Sequence, residues 1–538
     1  MKRKILRLPA LLLGLSLAGS CFLMGCGADN TLQTGAQDMP AYAETSENPE
    51  GNGNASSDAE DGATGVLNGA EGENGAQKEA DTTMKVKETT TYQDFRGFGA
   101  SSCWWSQYVG GWENVDEASG LPVREQIAKL LFNKEEGIGL SIYRYNLGAG
   151  SADTGTGDIS DPHRRAESFL TQDGTYDWEK DANARWFLKK SLEEGAEQVI
   201  LFCNSPQVSM TRNGLALMDK GSSDNLDPEK YDDFADYVLD VAQHFSEEGI
   251  PVTSISPINE PQWEWVSGQE GCHYTPEALT GVLKAFLAKL RERGLEDTYE
   301  ITSPEGGEWK SSTEAYIDAM LADEELSAYF HVIDGHSYWS DKATKMLFMQ
   351  WLEKHHPDVE IAMSEWCEMV NGRDYTMDSA FNIADQIWED LTILNAVSWQ
   401  YWVAVADGDY RDGLIYVNVG PNTMEPNRRL WAMGNYSRFI RPGFTRVEIE
   451  DEENPPAQLK PVAFTGLSED GKEQLVCVFI NRGEKTDIAI SPDDTYSTYA
   501  VYTTTQDLDL KQTAAGEVSA DATYELAGEA VVTVVFTK

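Results

Sequence analysis

Short apolar runs alternate along most of the chain with longer segments in which apolar residues recur every three or four positions. In residues 228–248, for example, Phe234, Val238, Val241 and Phe245 form one stripe, after Asp227-Pro228 and before Gly249. A stripe of this kind is typical of an amphipathic helix with start and stop signals at its ends. The short apolar runs between such segments are typical of buried strands.

This alternation predicts eight strand–helix units and therefore a parallel sheet. The predicted strands are residues 95–103, 140–147, 198–204, 252–259, 300–303, 332–336, 360–364 and 398–405. The predicted helices are residues 123–133, 178–194, 228–248, 276–293, 313–328, 343–355, 379–395 and 428–440. Eight units favour an α/β fold with a (β/α)8 TIM barrel over residues 95–441. A doubly wound open sheet is the alternative, but no Gly-x-Gly-x-x-Gly motif follows the first strand.

The pattern changes after Arg441-Pro442-Gly443, where short β-type runs are separated by turn residues. These predicted strands are residues 458–464, 474–480, 487–490, 498–504, 524–526 and 530–536. They indicate a fused C-terminal β-sandwich over residues 442–538. The alternating stretch ahead of the barrel, assigned as residues 85–94, predicts an N-terminal strand that completes the sandwich.

The N-terminus has the features of a targeting segment. Basic residues at 2–7 precede an apolar stretch at 8–18, and Leu23-Met24-Gly25-Cys26 resembles the lipobox of bacterial lipoproteins. We expect residues 1–26 to be a lipoprotein signal peptide, with Cys26 lipidated; an uncleaved membrane anchor is the alternative. Residues 27–84 are acidic and poor in large apolar side chains, which predicts a disordered linker. These features predict an extracellular protein on a bacterial cell surface, held to the membrane only by its lipid.

Charge and cysteine content narrow the possible partners. The net charge of −48 disfavours nucleic acid and anionic polysaccharides but not neutral partners. Five cysteines follow the targeting segment, and none forms a Cys-x-x-Cys pair, so neither a disulfide framework nor a zinc site is indicated. We expect a monomer whose partner is a neutral polysaccharide.

Two glutamates occupy the ends of predicted buried strands. Glu260 follows the apolar run 252–258 within Asn259-Glu260-Pro261, and Glu365 follows the run 361–364. Proline cannot continue a central strand, so the first strand should end here and direct Glu260 to the carboxyl-terminal face of the barrel. A lone strand-end glutamate is more often a helix cap or ion-pair partner, but a pair in one ring can cleave a glycosidic bond. A separation of ~5–5.5 Å permits retention, and ~6.5–9.5 Å requires inversion.

The surroundings of the two glutamates predict different roles. The charge of Glu365 should raise the pKa of Glu260, which makes Glu260 the acid/base. Tyr338 and Arg144 should stabilise the ionised form of Glu365, which makes Glu365 the nucleophile. Asn259 could bond the sugar 2-hydroxyl. This chemistry requires no cofactor and no metal.

Other polar and aromatic residues at the predicted strand ends are candidates for substrate binding. The polar candidates are Arg144, Asn146, Asn204, Asn259, Glu305, His336 and Tyr338. Glu305 could equally serve loop structure, and His336 could equally be structural. Tryptophans crowd the same ends, namely Trp104, Trp105, Trp263, Trp265, Trp309, Trp339, Trp366 and Trp402. Sugar faces pack on such rings, and we select Trp105, Trp366 and Trp402, while about half of the set could be core.

Several motifs in residues 90–538 resemble glycoside hydrolase family 30. They are Phe95-Arg96-Gly97-Phe98-Gly99, Tyr143-Arg144-Tyr145-Asn146-Leu147-Gly148, Asn204-Ser205-Pro206, Met210-Thr211-Arg212-Asn213-Gly214, Asn259-Glu260-Pro261, His336-Ser337-Tyr338, Ser364-Glu365-Trp366 and Ser437-Arg438-Phe439-Ile440-Arg441-Pro442-Gly443. The resemblance implies a barrel with a fused β-sandwich, a retaining mechanism, Glu260 as acid/base and Glu365 as nucleophile.

The start of the barrel is similar to the endo-β-1,6-galactanase branch of that family. The similarity lies in residues 97–105 and in Gly110-Gly111-Trp112, whereas the loop 204–210 lacks an aromatic that related enzymes usually have. The resemblance implies an endo-β-1,6-galactanase acting on arabinogalactan side chains. The alternatives are another family 30 β-glycosidase (β-glucosidase or glucosylceramidase, β-1,6-glucanase, xylanase) and a lipoprotein that only binds sugar.

Overall fold

The computed structural model describes residues 80–451, 458–519 and 521–538. The predicted signal peptide, the lipidation site Cys26 and all but the end of the predicted linker lie outside these residues. Among the helices of the described ranges, none is long and apolar enough to cross a membrane.

The first element of the described residues is a strand of the C-terminal region, β1 (Thr82–Asp94), and a nine-stranded sheet whose strands are parallel follows it. The strands of this sheet are β2 (Gly97–Ser101), β3 (Ile142–Asn146), β4 (Gln198–Phe202), β5 (Val252–Ser256), β6 (Glu300–Ile301), β7 (Pro304–Gly306), β8 (Val332–His336), β9 (Glu360–Glu365) and β10 (Ser398–Tyr401). The helices are α1 (Trp105–Val109), α2 (Val123–Phe132), α3 (Ala182–Glu194), α4 (Tyr231–Glu247), α5 (Pro276–Arg293), α6 (Ser311–Leu321), α7 (Glu324–Tyr329), α8 (Lys342–His355), α9 (Met377–Thr392) and α10 (Arg428–Ser437). Three short 3₁₀ helices lie at Pro162–Arg164, Val208–Met210 and Pro228–Lys230.

The strand order is β6-β5-β4-β3-β2-β10-β9-β8-β7, so the two end strands are successive pieces of one chain segment. The two residues between them bond to both neighbours. The Thr302 N–H donates to the Ile255 carbonyl at 2.8 Å, and the Ser303 carbonyl accepts from the Asp334 N–H at 3.0 Å. The sheet therefore curls into a TIM-barrel-like domain, and the carboxyl ends of its strands meet at one face.

Several predicted elements differ from the observed ones. The predicted helix 313–328 is two helices, because the Asp323 side chain accepts from the N–H groups of Glu325 and Leu326 and starts α7. The predicted strand 398–405 ends early, at Tyr401. The chain then forms a small separate sheet of β11 (Val405–Ala406), β12 (Ile415–Asn418) and β13 (Thr423–Pro426).

The C-terminal region is rich in β-structure. Its strands are β14 (Thr445–Asp451), β15 (Leu459–Leu467), β16 (Glu473–Asn481), β17 (Thr486–Pro492), β18 (Thr498–Thr504), β19 (Lys511–Glu517), β20 (Thr523–Leu526) and β21 (Ala530–Thr537). With β1 they form one sheet of order β19-β18-β21-β16-β15-β14-β1-β17-β20. β1 begins at Thr82, inside the predicted linker, and pairs antiparallel with β14 and parallel with β17.

Strand β16 connects two cores. Leu475, Cys477 and Phe479 pack within the C-terminal region, together with Met84 and Val86 of β1. The alternate residues Val476, Val478 and Ile480 pack in the main core that includes the barrel. Because both faces are buried, this strand is an unbroken apolar run rather than an alternating one.

The packing of β1 generates a prediction about stability. Met84 is fully buried in the C-terminal core, so Met84→Ala should lower the free energy of unfolding by about 2–5 kcal/mol through lost burial and a residual cavity. The matched control is Thr89→Ala on the same strand, where the side chain is exposed. Urea unfolding of the two variants, followed by tryptophan fluorescence, should separate them. Equal midpoints would show that β1 does not contribute to this core.

Candidate active site

Glu260 and Glu365 face one another at the carboxyl ends of the barrel strands. One carboxylate oxygen of Glu260, one of Glu365 and one ring nitrogen of His336 all lie within 4.8 Å of one another. All three residues are buried. Glu365 is the last residue of β9, and Glu260 lies in the loop after β5. The chain therefore brings together the two glutamates singled out from the sequence.

The backbone at Glu260 is held in an uncommon conformation. Its φ is +42°, in the left-handed region that a non-glycine residue adopts at a cost of about 1–3 kcal/mol. Hydrogen bonds on both sides maintain this conformation. The Glu260 N–H donates to the Glu305 carbonyl at 2.9 Å, and the Glu260 carbonyl accepts from the Trp265 indole N–H at 3.2 Å.

His336 is the central group of the site. Its Nδ1 lies 3.0 Å from Oε1 of Glu260 and 3.6 Å from Oε1 of Glu365, while its Nε2 lies 3.1 Å from Oε2 of Glu305. Burial opposes a positive charge on the ring, but the charge of Glu365 and the hydrogen bonds to Glu260 and Glu305 raise the pKa of His336 to about 10. The ring is therefore an imidazolium at neutral pH, and both of its N–H groups donate to carboxylates.

Glu305 is the anionic partner of this imidazolium, which fits the structural alternative named from the sequence; its substrate contact stays a prediction. It is 1% exposed, and its Oε1 accepts from the Ser256 hydroxyl at 2.8 Å. Its Oε2 accepts from the Ser364 hydroxyl and from His336. Burial opposes its ionisation, but the positive charge of Arg144 and the bond from His336 lower the pKa of Glu305 to about 2.

Arg144 is the second buried cation of the site. Its Nη1 donates to Oε2 of Glu365 at 2.6 Å, and its Nη2 lies 3.6 Å from Oε2 of Glu305. The Tyr338 hydroxyl donates to Oε1 of Glu365 at 3.2 Å. Each oxygen of Glu365 thus accepts from one of the two groups that the sequence analysis named. Arg144 is itself 1% exposed, and its contacts hold the carboxylates of Glu365 and Glu305 in position.

Glu260 is the glutamate of the site whose pKa is raised. Burial raises it, with a smaller contribution from the charge of Glu365, while the hydrogen bond from His336 opposes the shift. Desolvation, rather than the facing glutamate, is therefore the main cause of the raised pKa. Because Oε1 accepts from His336, Oε2 is the oxygen left to carry a proton.

Three asparagines connect the ends of neighbouring strands. The Asn259 amide donates to Oδ1 of Asn204 at 3.2 Å, and the Asn204 amide donates to Oδ1 of Asn146 at 3.0 Å. Arg144 donates to Oδ1 of Asn259 at 3.5 Å. All three amides are buried beside the carboxylates. The chain thus places the predicted asparagines in one network, which fixes their orientation at the face of the barrel.

The selected tryptophans have different positions. Trp105 is 1% exposed, packs edge-to-face on Phe187 and donates its indole N–H to the Ser101 carbonyl, so its ring lies in the core. The reason is that α1 begins at Trp105, so the tryptophan pair does not continue the strand. The substrate contact of Trp105 stays a prediction. Trp366 and Trp402 are half-buried, and Trp402 packs edge-to-face on Trp104 with centroids 5.4 Å apart.

Two serines that hold Glu305 were missed from the sequence. Ser256 is the last residue of β5, and Ser364 is the second-last residue of β9, next to Glu365. A polar residue at the last positions of a buried strand is a usable signal, because an unpaired hydroxyl there would cost free energy. Their buried partner, Glu305, could not be identified without the fold.

The same three groups could in principle be ligands of a metal ion. Glu260, His336 and Glu365 each offer one ligand atom within the 4.8 Å cluster. However, a metal ligand must be the neutral imidazole with a free lone pair. His336 is instead an imidazolium whose two N–H groups point at carboxylates, so the described residues fit proton transfer better than metal binding.

Comparisons with known proteins point to one family. The sequence model described as O-Glycosyl hydrolase family 30 matches residues 81–416. An endo-β-1,6-galactanase of Hypocrea rufa is 25% identical over 438 residues, which is 75% of this chain and 82% of that protein. An exo-β-1,6-galactobiohydrolase of Bifidobacterium longum is 27% identical over 238 residues, which is 34% of this chain and 16% of that protein.

Solved structures share the fold. A conserved exported protein from Bacteroides fragilis superposes with a TM-score of 0.73 at 26% identity, covering 84% of this chain and 100% of that one. The catalytic domain of the family 30 xylanase C from Talaromyces cellulolyticus gives a TM-score of 0.65 at 20% identity, covering 85% and 100%. The second likeness shows the fold alone.

The raised pKa of His336 generates a prediction about pH. The pKa of His336 is about 10 in the folded state, against an ordinary value of 6.5. Protonation of His336 therefore stabilises the fold fully below pH 6.5, and this contribution is lost as the pH rises towards 10. His336→Gln lacks this contribution. The difference in free energy of unfolding between wild type and His336→Gln should therefore shrink by a few kcal/mol between these pH values.

The measurement is urea unfolding at several pH values, with His331→Gln as the control because His331 is an exposed histidine. The control should follow the wild type throughout. Parallel pH profiles for wild type and His336→Gln would contradict an imidazolium at this position.

Proposed function

Since the chain belongs to O-glycosyl hydrolase family 30 and is a glycoside hydrolase, we propose that it cleaves β-glycosidic bonds with retention of anomeric configuration. The observation that carries this proposal is the 4.8 Å limit on the separation of the Glu260 and Glu365 oxygens. This limit is near the ~5–5.5 Å of retaining enzymes and well short of the ~6.5–9.5 Å that leaves room for an attacking water.

In the first step, the Glu365 carboxylate attacks the anomeric carbon as the bond from that carbon to the leaving oxygen breaks. The Oε2 proton of Glu260 passes to the leaving oxygen, and a glycosyl ester forms on Glu365. Arg144 and Tyr338 hold Glu365 in place, since each donates a hydrogen bond to one of its oxygens.

In the second step, Glu260 acts as a base. It takes a proton from a water molecule, whose oxygen attacks the anomeric carbon while the ester bond to Glu365 breaks. The His336 imidazolium stabilises the Glu260 carboxylate that exists between the two steps, because Nδ1 donates to its Oε1 at 3.0 Å. We assign Asn259 to the sugar 2-hydroxyl, with Asn146, Asn204, Trp366 and Trp402 as further substrate contacts.

For the substrate, we propose β-1,6-linked galactan side chains of arabinogalactan, cleaved internally. The names of the relatives from Hypocrea rufa and Bifidobacterium longum, both of which act on β-1,6-galactosyl linkages, support this linkage. The net charge of −48 favours a neutral polysaccharide. Xylan is the second candidate, because the family 30 xylanase from Talaromyces cellulolyticus shares the fold. The negative charge disfavours glucuronate-bearing xylan.

We also propose the finer architecture and the location of the protein. The bonds of residues 302 and 303 to both neighbouring strands support a closed (β/α)8 barrel. The position of β1 between β14 and β17 supports a β-sandwich completed from the N-terminus. The lipobox-like Leu23-Met24-Gly25-Cys26 supports a lipid anchor on Cys26 at an extracellular bacterial surface. We propose a monomer without nucleic-acid partners, given the acidity of the chain.

The two glutamates should respond differently to substitution. Glu365→Gln should abolish turnover while circular dichroism keeps the wild-type shape, because the nucleophile is lost but the fold survives. Its unfolding midpoint should fall, because the buried ion pair with Arg144 is lost as well. Glu260→Gln should lower kcat/KM on polysaccharide by about 10²–10⁴-fold, the usual contribution of general acid–base catalysis.

Azide distinguishes the two roles. With an activated aryl β-glycoside, Glu365→Gly plus azide should yield the α-glycosyl azide, because azide attacks from the face that the nucleophile has vacated. Glu260→Ala plus azide should yield the β-glycosyl azide from the covalent intermediate. Proton NMR of the products identifies the anomers. Exchanged outcomes would reverse the assignments, and an α-configured first product of the wild type would overturn retention.

A polysaccharide panel tests the substrate. Arabinogalactan should release β-1,6-linked galacto-oligosaccharides, and removal of its arabinose should increase the yield, since bare side chains fit the cleft more readily. Birch xylan, β-1,6-glucan and glucosylceramide are the comparison substrates, and product sizes come from mass spectrometry. Faster cleavage of any comparison substrate would refute the galactanase proposal, and sugar binding without any product would favour a non-catalytic protein.

A further inference from the structure

We infer that Trp263 and Trp339 form the binding platform for the sugar on the leaving-group side of the scissile bond. This inference rests on the proposed function, because it assigns a second sugar-binding position to the same site. Both rings lie in loops that follow the strands carrying the acid/base side of the site, after β5 and after β8.

Trp339 stands out by its exposure. It is 49% exposed, whereas the other fourteen of the fifteen tryptophans, all within the described ranges, are buried or half-buried. Its φ is +48°, a left-handed conformation that is a genuine outlier for a bulky residue. The fold thus holds a wide apolar ring towards solvent with a backbone that costs free energy, which is typical of a binding position rather than of packing.

Its neighbours locate the ring at the edge of the catalytic site. The Tyr338 ring lies 5.7 Å from the Trp339 ring, and the Tyr338 hydroxyl donates to Glu365. The Trp263 ring meets Trp339 edge-to-face, with centroids 5.7 Å apart and planes at 73°. The two indoles therefore form a corner, in which one ring braces the other while the Trp339 face remains available.

Trp263 is fixed beside the acid/base. In the amide orientation that pairs donors with acceptors, the Gln262 oxygen accepts from the Trp263 indole N–H at 3.0 Å and from the Gly307 N–H at 2.7 Å. A Cβ on Gly307 would stand 2.7 Å from Oε1 of Glu260 and 3.1 Å from the Trp263 indole nitrogen. Trp263 and Glu260 thus lie against the same backbone position, Gly307. Any side chain at position 307 would collide with Glu260 and crowd Trp263.

The chemistry decides which sugar this corner binds. Glu260 gives its proton to the leaving oxygen, so the departing sugar must lie on the Glu260 side of the bond. The sugar held by Glu365 at its anomeric carbon lies on the other side. A flat indole next to the proton donor therefore matches the apolar face of a neutral pyranose in the leaving group. Binding there fixes the leaving oxygen near the Glu260 proton.

The test compares two substrates that share a donor and differ in the leaving group. The probes are β-1,6-linked galactotetraose, whose leaving group is a sugar, and β-1,6-galactobiosyl fluoride, whose leaving group is a single atom. Trp339→Ala should lower the ratio of kcat/KM for the tetraose to kcat/KM for the fluoride by about tenfold, through loss of ring stacking. Trp339→Phe should restore most of that ratio, because it keeps a flat ring, and Trp339→Leu should not.

Tyr92→Ala is the control, because Tyr92 is also an exposed aromatic residue but lies on β1. Its ratio should equal that of the wild type. An unchanged ratio in Trp339→Ala, or equal ratios for the Phe and Leu variants, would overturn the platform while leaving the proposed function standing. Failure of the wild type to release fluoride would overturn the proposed function, and the platform with it.

Discussion

The contact between the His336 imidazolium and the surrounding carboxylates is the interaction on which the site depends. Three glutamates lie within reach of one fully buried ring, which bonds two of them and lies 3.6 Å from the third. Three bare carboxylates at this spacing, removed from water, would repel one another too strongly for the site to stay folded. Two buried cations, Arg144 and His336, offset two of these charges, and in the proposed mechanism a proton on Glu260 offsets the third.

The same balance accounts for a reaction that moves charge within the cluster. In the proposed mechanism, the negative charges are on Glu305 and Glu365 before the first step; after it, Glu365 is a neutral ester and the charges are on Glu305 and Glu260. Arg144 and His336 remain positive throughout, so the net charge of the five groups stays at zero. Nδ1 of His336 lies near both catalytic glutamates, so the charge moves between two positions that the same cation already serves. Little reorganisation is then needed, which is the advantage of a preorganised polar site.

Much of this arrangement could be predicted from the chain. The apolar runs before Glu260 and Glu365, with the proline after Glu260, place both carboxylates at strand ends, and the strand ends of a parallel barrel share one face. The partners of Glu365, Arg144 and Tyr338, follow from the same rule. Glu305 could not be assigned this way, because a strand-end position is compatible with either substrate or partner. Only the fold shows that Ser256, Ser364 and His336 occupy its oxygens.

Trp105 shows a second limit of the sequence, since the orientation of its ring depends on where strand β2 stops rather than on where that strand lies. Backbone hydrogen bonds between strands fix the position of the strand ends, and the carboxylates of the candidate active site lie at or just after those ends. The aromatic rings lie after the strand ends. There, α1 begins at Trp105 and places its ring in the core, whereas the left-handed backbone of Trp339 directs its ring outward. The strand ends and the loops are therefore constrained to different degrees. A substitution in one of these loops can therefore move or remove a ring without disturbing the carboxylates at the strand ends.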